Sequence, residues 1–394
     1  MSLQLVSRSP DLQRLRNEGY AIEIRANYLL VHHVPYVTAA KEVAYGTLVS
    51  ELSTGGNRTI RPGDHVARFA GGVPCDIDGM QLNKIVNSVG VENLADGVQS
   101  ECMLSSKPAV GYYEDYYFKI LSYVNMISGA AQALDASVTA RTYPVVPAEA
   151  EESVFRYLDS ASSRAGISGI ISKLASMKVA IVGLGGTGSY ILDVVAKTPV
   201  AEIHLYDADY LYTHNAFRAP GAVAAEDMDP APTKVEHYRQ RYDVMRRGVV
   251  AHPIYVDESN VDDLRDMNFV FLSMDAGPSK KVIVTFLEKS GLPYIDCGMG
   301  VYRVGDSLGG IVRVTASTPD NRTHVWQNDR IPFADQEDDE YNHNIQLADL
   351  NMLNAALAVI KWKKLYGIYA DSEDELFMAY TIGANQLLNE DRAG

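Results

Sequence analysis

The chain has 394 residues, with 35 basic against 50 acidic side chains and a formal net charge of −15. That length allows two domains, each with its own core, and the acidic balance argues against nucleic acid or an anionic membrane as a partner. There is no run of about 18 apolar residues, no basic-then-apolar leader, and no C-x-x-C spacing among Cys75, Cys102 and Cys297, so the expectation is a cytoplasmic protein without membrane span, zinc ribbon or disulfide framework.

Residues 1–150 read as a mixed α/β accessory domain. The stretch from Ala21 to Val31 alternates and then turns apolar, which predicts one or two strands. From Asp115 to Leu134 the residues Tyr116, Tyr117, Ile120, Leu121, Val124 and Ile127 recur at helical spacing, which predicts a helix whose aromatic stripe is core. Cys75 falls in the turn-rich Gly71-Gly-Val-Pro-Cys75, where a nucleophile would need a base that the local sequence does not supply. Prolines and acidic residues between Tyr143 and Glu152 mark a connector, so a second domain is placed at 151–394.

Strand and helix alternate from Met177 onward. Lys178–Val182 is an apolar run, as in a parallel strand buried on both faces, and it breaks into Gly183-Leu-Gly-Gly-Thr-Gly188. Gly183 and Gly185 allow a tight turn and close approach of a phosphate, a helix starts near Gly186 with its positive end toward that phosphate, and Gly188 lets the helix pack on the strand. Strands are expected at 202–206, 249–255, 269–273 and 293–297, and helices at 233–246 and 278–289. A hairpin of 301–304 with 310–315, a helix over 344–366 and a strand near 376–382 follow. The fold class is α/β, a Rossmann-like doubly wound, mainly parallel sheet with a C-terminal antiparallel extension, plus the N-terminal mixed domain.

Asp207, ending the second strand, suits ribose hydroxyls in NAD and ATP enzymes alike. The motifs after it discriminate. Tyr206-Asp-Ala-Asp209, His214-Asn-Ala-Phe-Arg218, Pro232-Thr-Lys-Val-Glu236 and Leu272-Ser-Met-Asp275 resemble, in order, those of the ThiF, MoeB and ubiquitin-activating enzyme family. The resemblance covers about residues 155–390 and implies ATP- and Mg2+-dependent adenylation of the C-terminal carboxylate of a ubiquitin-like protein, giving acyl-AMP and pyrophosphate. It implies that Gly183, Gly185, Gly186 and Gly188 cradle phosphate, that Arg218 and Lys234 contact the phosphates, that Asn215 helps position them, that Asp207 holds the ribose, and that Asp275 holds magnesium. Asp209 is a second acid of the nucleotide loop. An N-terminal arginine, often from the other protomer of a homodimer, is assigned to Arg164, with Arg156 as second choice. The extra N-terminal domain resembles prokaryotic ubiquitin-like conjugation members, which implies a conjugating enzyme as a further partner.

Two departures stand out. Many relatives have Asp-Asn where this chain has Asp275-Ala276, and the crossover loop 315–341 contains no cysteine for a thioester. Cys297, at a strand end, reads as packing. Direct transfer from the adenylate, a thioester on Cys75 or Cys102, and an oxyester on Ser317, Thr318 or Thr323 therefore stay open. The acidic run Asp335–Glu340 reads as a solvated segment, and the leucine stripe Leu347, Leu350, Leu353, Leu357 and Ile360 as packing, followed by Lys361, Lys363 and Lys364 as a favourably charged helix C-terminus. An NAD-dependent oxidoreductase and a non-catalytic ATP-binding scaffold are the alternative functions.

Overall fold

The computed structural model describes residues 2–95, 97–148, 153–334 and 345–392. The chain divides into two units, Met1–Val146 and Pro147–Gly394. Among the described residues no helix is long and apolar enough to cross a membrane.

In the first unit, helices α1 (Ser2–Arg8) and α2 (Pro10–Asn17) precede strands β1 (Ala21–Arg25), β2 (Tyr28–Val37) and β3 (Val43–Glu51). A two-stranded ribbon of β4 (Thr54–Gly55) and β5 (Arg58–Thr59) follows, then β6 (Val66–Ala70), β7 (Val86–Ala95), β8 (Val98–Ser105) and helix α3 (Tyr116–Leu134). The six longer strands form one antiparallel sheet in the order β1-β2-β3-β6-β8-β7. The predicted helix is α3, held at its start by the Asp115 carboxylate accepting from Phe118 N, a capping contact of about 1 kcal/mol. Its Tyr116, Ile120, Tyr123 and Ile127 pack on Leu29, Val31, Leu48 and Phe69 of the sheet, so the aromatic stripe is core. Asp11 ties the layers together, accepting from Tyr116 N at 3.1 Å and Thr59 Oγ1 at 2.6 Å.

The second unit opens with the short helices α4 (Ser160–Arg164) and α5 (Ser168–Ile171). It continues through β9 (Lys178–Val182), α6 (Gly186–Val195), β10 (Glu202–Tyr206), α7 (Thr213–Ala216), α8 (Lys234–Asp243), β11 (Val249–His252), β12 (Phe269–Leu272) and α9 (Pro278–Lys289). The chain ends with β13 (Tyr294–Val304), β14 (Ser307–Ser317), α10 (Thr323–Gln327), α11 (Ala348–Leu365), β15 (Glu375–Thr381) and β16 (Gln386–Arg392). One sheet carries all eight strands in the order β11-β10-β9-β12-β13-β14-β15-β16. Strands β9 to β13 pair in parallel, and β13 to β16 pair antiparallel. In β9, Val179 and Ile181 enter the core on one face while Ala180 and Val182 enter the core on the other, and Phe269, Val270, Phe271 and Leu272 of β12 divide in the same way. That two-sided burial is why these strands read as uninterrupted apolar runs.

Two expectations need correction. Glycines 298 and 300 were expected to separate two strands, but β13 runs through them because its ladder with β14 continues unbroken from Tyr294↔Ser317 to Val304↔Ser307. The Arg313 guanidinium fills the space a side chain at position 298 would need, with Nη2 only 2.3 Å from where its Cβ would lie. The buried face of α11 is only partly the leucine stripe: Leu350 is buried and Leu357 packs against the core, but Leu347 and Ile360 are exposed, and Asn351, Asn354, Ala355, Ala358, Lys361 and Trp362 supply the rest of the buried face. In the last two turns of that helix, Lys361 and Lys364 pair with Asp371 at 2.9 and 3.1 Å, and Lys364 also reaches Glu375 at 2.8 Å. The acidic run Asp335–Glu340 lies outside the described residues.

Candidate nucleotide site

The strand order itself locates the site. The chain steps from β9 to β10 and β11 on one side, then crosses back to β12 on the other, so the crevice between the carboxyl ends of β9 and β12 is the switch point where doubly wound sheets bind ligands. The glycine-rich turn leaves β9 there, and the segment Ser273–Asp275 leaves β12 beside it.

Gly183 has φ of +88° and donates its N–H to Tyr206 O at 2.9 Å. A Cβ at this position would lie 2.7 Å from Ser273 O, so conformation and space both require glycine. At Gly188 a Cβ would lie 1.9 Å from Gly183 O, which shows how closely α6 approaches the end of β9. Ser273 secures the turn from the neighbouring strand, its hydroxyl donating to Gly183 O at 2.7 Å. At Gly186 a Cβ would collide with the Asn351 amide of α11, whereas nothing lies within 4 Å of one at Gly185. Gly185 therefore offers the open approach, and the first N–H groups of α6 face it with the positive end of the helix dipole.

Asp207 closes β10 and is 6% exposed. Its Oδ2 accepts from Leu184 N at 2.7 Å and its Oδ1 from Asp209 N at 2.8 Å, so the carboxylate first shapes the glycine turn and its own loop. Each oxygen retains a second lone pair for a hydroxyl donor. Lys234 opens α8, where the helix dipole disfavours a cation, and two acids offset this: its Nζ lies 2.6 Å from Asp209 Oδ2 and 3.5 Å from Asp207 Oδ2. The Tyr255 hydroxyl donates to the other oxygen of Asp209. Burial pushes the Asp209 carboxyl up, but the hydrogen bonds from Lys234 and Tyr255 and the charges of Lys234 and Arg218 outweigh it and hold it below the usual value. The same contact and partial burial push the Tyr255 phenol up to about 12.

Asn215 is buried in α7 and fixes that turn by accepting from Tyr212 N at 2.9 Å. The α7 turn presents Arg218, whose carbonyl accepts from Asn351 Nδ2 at 3.3 Å and whose buried Nε has no hydrogen-bond partner among the described residues. Such an orphaned charged donor marks a place for an anionic acceptor. Asp275 is exposed in the turn between β12 and α9. Just beyond it, Lys280 of α9 makes a fully buried ion pair with Asp296 of β13 at 2.7 Å.

The structure thus gathers the four glycines, Asp207, Asp209, Asn215, Arg218 and Lys234, and Asp275 follows in the exposed turn two residues after Ser273, which bonds the glycine turn. Arg164 is the exposed last residue of α4. Arg156 is bound to Asp243 at the far end of α8 from Lys234, at 2.7 Å. The three cysteines are free thiols and buried. Burial and the Asp296 charge push the Cys297 thiol far above its ordinary value, and burial chiefly pushes Cys102 up to about 12. Sequence reasoning missed Ser273, Tyr255, Lys280, Asp296 and Asn351. The pair of asparagines at 351 and 354, inside an apolar helical pattern, was the legible trace of the last.

Residues 159–323 match the ThiF family, and residues 10–160 match a domain of unknown function, DUF6791. No curated protein matches the chain. Among solved structures, Escherichia coli MccB with ATP is 18% identical with a TM-score of 0.45, the match covering 59% of this chain and 72% of that one. E. coli tRNA N6-threonylcarbamoyladenosine dehydratase, TcdA, in complex with AMP is 16% identical with a TM-score of 0.40, covering 52% and 92%.

Proposed function

Taking as premise that residues 159–323 are a ThiF family domain, we propose that this protein catalyses ATP-dependent adenylation of the C-terminal carboxylate of a ubiquitin-like protein, releasing pyrophosphate. The observation that carries this reading is the pairing of cations with a phosphate cradle: Lys234 pairs with Asp209 beside the glycine turn, and Arg218 lies near enough for its charge to act on Asp209 while its Nε is unsatisfied. The hydride-transfer alternative gives no reason for Arg218, Lys234 and Asp275 together, whereas joining a carboxylate to the α-phosphate requires neutralising two anions and holding them in line.

The residues fit the nucleotide. The space that Cβ atoms would fill at Gly186 and Gly188 is taken by neighbouring groups, and Gly185 leaves the open side of the turn to the triphosphate. Asp207 would hold the ribose, and Asn215 would keep the α7 turn in place so that Arg218 can reach the phosphates. Lys234 would exchange its bond to the half-exposed Asp209 for a phosphate oxygen. Magnesium is commonly held by one or two carboxylates together with substrate phosphates, and Asp275 would supply such a carboxylate; bound there it would neutralise the departing pyrophosphate. Arg164 is the proposed arginine donated to the phosphates, from the same chain or across a homodimer.

We favour direct transfer of the acyl group from the adenylate to an acceptor, since the second unit's lone cysteine, Cys297, is buried with its thiol pushed up. The first unit, residues 1–150, is read as an accessory domain that recognises a protein partner such as a conjugating enzyme. The test is equilibrium binding of magnesium-ATP and of NAD. Tight ATP binding that Arg218→Ala weakens supports the reading, and a preference for NAD refutes it. Mass spectrometry of the turning-over enzyme should then show no covalent acyl adduct sensitive to hydroxylamine or thiol.

A further inference from the structure

Helix α11 lies far along the chain from the glycine turn, yet one of its side chains meets two separate parts of the nucleotide site. Asn351 is 1% exposed. Its Oδ1 accepts from Thr187 Oγ1 at 2.9 Å, in the first turn of α6, and its Nδ2 donates to Arg218 O at 3.3 Å. The same amide occupies the space beside Gly186, so closely that a Cβ there would sit 1.9 Å from Nδ2. One planar group therefore sets the distance between the start of α6 and the backbone of Arg218, two segments that otherwise belong to different loops. A buried asparagine in an otherwise well-packed helix face is retained at a cost unless its bonds do something, since alanine would pack there without polar atoms to satisfy.

We propose that Asn351 is a positioning residue that registers Arg218 against the glycine turn, and that Gly186 is glycine in order to admit it. The inference rests on the adenylation reading above for the role of Arg218, but not for the physical tie. Asn351 acts through the Arg218 backbone and touches no substrate in this account. Displacing a catalytic cation by about 1 Å is enough to lower turnover by roughly 100-fold.

The experiment compares wild type, Gly186→Ala, Asn351→Ala and the double variant, with Thr187→Val as a milder cut of one arm. Three readouts are used: thermal unfolding of the nucleotide-free protein, magnesium-ATP affinity, and ATP:pyrophosphate exchange with a ubiquitin-like protein. Gly186→Ala should unfold earlier and bind ATP at least about tenfold more weakly. Adding Asn351→Ala should restore both, because the clash is removed. Exchange by Asn351→Ala and by the double variant should nevertheless show kcat lowered by about tenfold or more with KM for ATP within about threefold, and the loss should shrink when Arg218 is already alanine. The proposal is overturned if the double variant is not restored, or if Asn351→Ala turns over within about twofold of wild type. Wild type that fails to exchange while the compensation in unfolding and ATP affinity holds would sink the adenylation reading and leave the tie standing. Exchange by wild type with no effect at Asn351 does the reverse.

Discussion

Lys234 and Lys280 stand in equivalent places, each in the first turn of a helix that follows a parallel strand, each almost wholly buried, and each paired with an aspartate at 2.6 and 2.7 Å respectively. What separates them is the partner. The Asp209 side chain is 48% exposed, whereas the Asp296 side chain is 0% exposed. If a phosphate draws Lys234 away, Asp209 can turn to water and to Tyr255, and Asp207, 3.5 Å from the lysine, keeps its backbone donors Leu184 N and Asp209 N, so the exchange is inexpensive. If anything drew Lys280 away, Asp296 would be left as an uncompensated charge in the core. The exposure of the acid, more than the burial of the lysine, distinguishes a lysine poised for a ligand from one that holds the sheet.

The comparison can be broken first at Lys280. Lys280→Met should lower the stability of the protein by about 3–5 kcal/mol, read as a fall in urea midpoint, and Lys280→Met with Asp296→Leu should recover most of it. Lys234→Met should act on function instead, reducing pyrophosphate exchange by about 100- to 1000-fold, or roughly 2.7–4 kcal/mol in the barrier, with a smaller loss of stability than at Lys280. Equal stability losses at the two lysines would erase the distinction. Gly188→Ala, which forces a methyl against Gly183 O, should cost about 1–3 kcal/mol of stability and impair ATP binding as well, since it moves the turn that Lys234 serves.

The smallest effect is one of pH. The carboxyl of Asp209 is held below its ordinary value in the folded protein, so its contribution is present above the unfolded carboxylate value of about 3.9 and is lost as pH falls through the lower folded one. Because the group is half-exposed, the contribution should be under about 1 kcal/mol. The urea midpoints of wild type and Asp209→Asn should therefore differ at pH 6, and the difference should shrink as pH falls below about 3.9. The Tyr255 phenol should drop from about 12 toward about 10 in the variant.

Much of the second unit was legible in the sequence because its signals are local. The apolar run of β9, the glycine spacing and the acid that ends β10 lie within one βαβ unit, and β10 and α9 fall where the pattern put them. The gathering of Asp209, Arg218 and Lys234 followed from motif order. The supporting residues were not legible, because Ser273, Tyr255 and Asn351 are polar side chains whose roles depend on pairings distant in sequence. Strand β16 escaped for a related reason: Gln386–Arg392 is mostly exposed and polar, and it is a strand only because the turn after β15 returns it to the sheet edge. The leucine stripe of α11 told only part of the packing, since besides Leu350 the helix buries alanines, asparagines and Trp362, which a count of leucines passes over. In the first unit the aromatic helix α3 was plain, but six antiparallel strands with register shifts in β2 and β7 left only a blurred alternation.

The most direct measurement is ATP:pyrophosphate exchange by the full chain with magnesium and candidate ubiquitin-like proteins as carboxyl donors, comparing wild type with Arg218→Ala and Asp275→Ala. Reversible adenylation predicts exchange that depends on the donor and is lost in both variants while they remain folded. A wild-type protein that binds ATP yet exchanges no pyrophosphate with any such donor, or variants that exchange as well as wild type, would contradict the account.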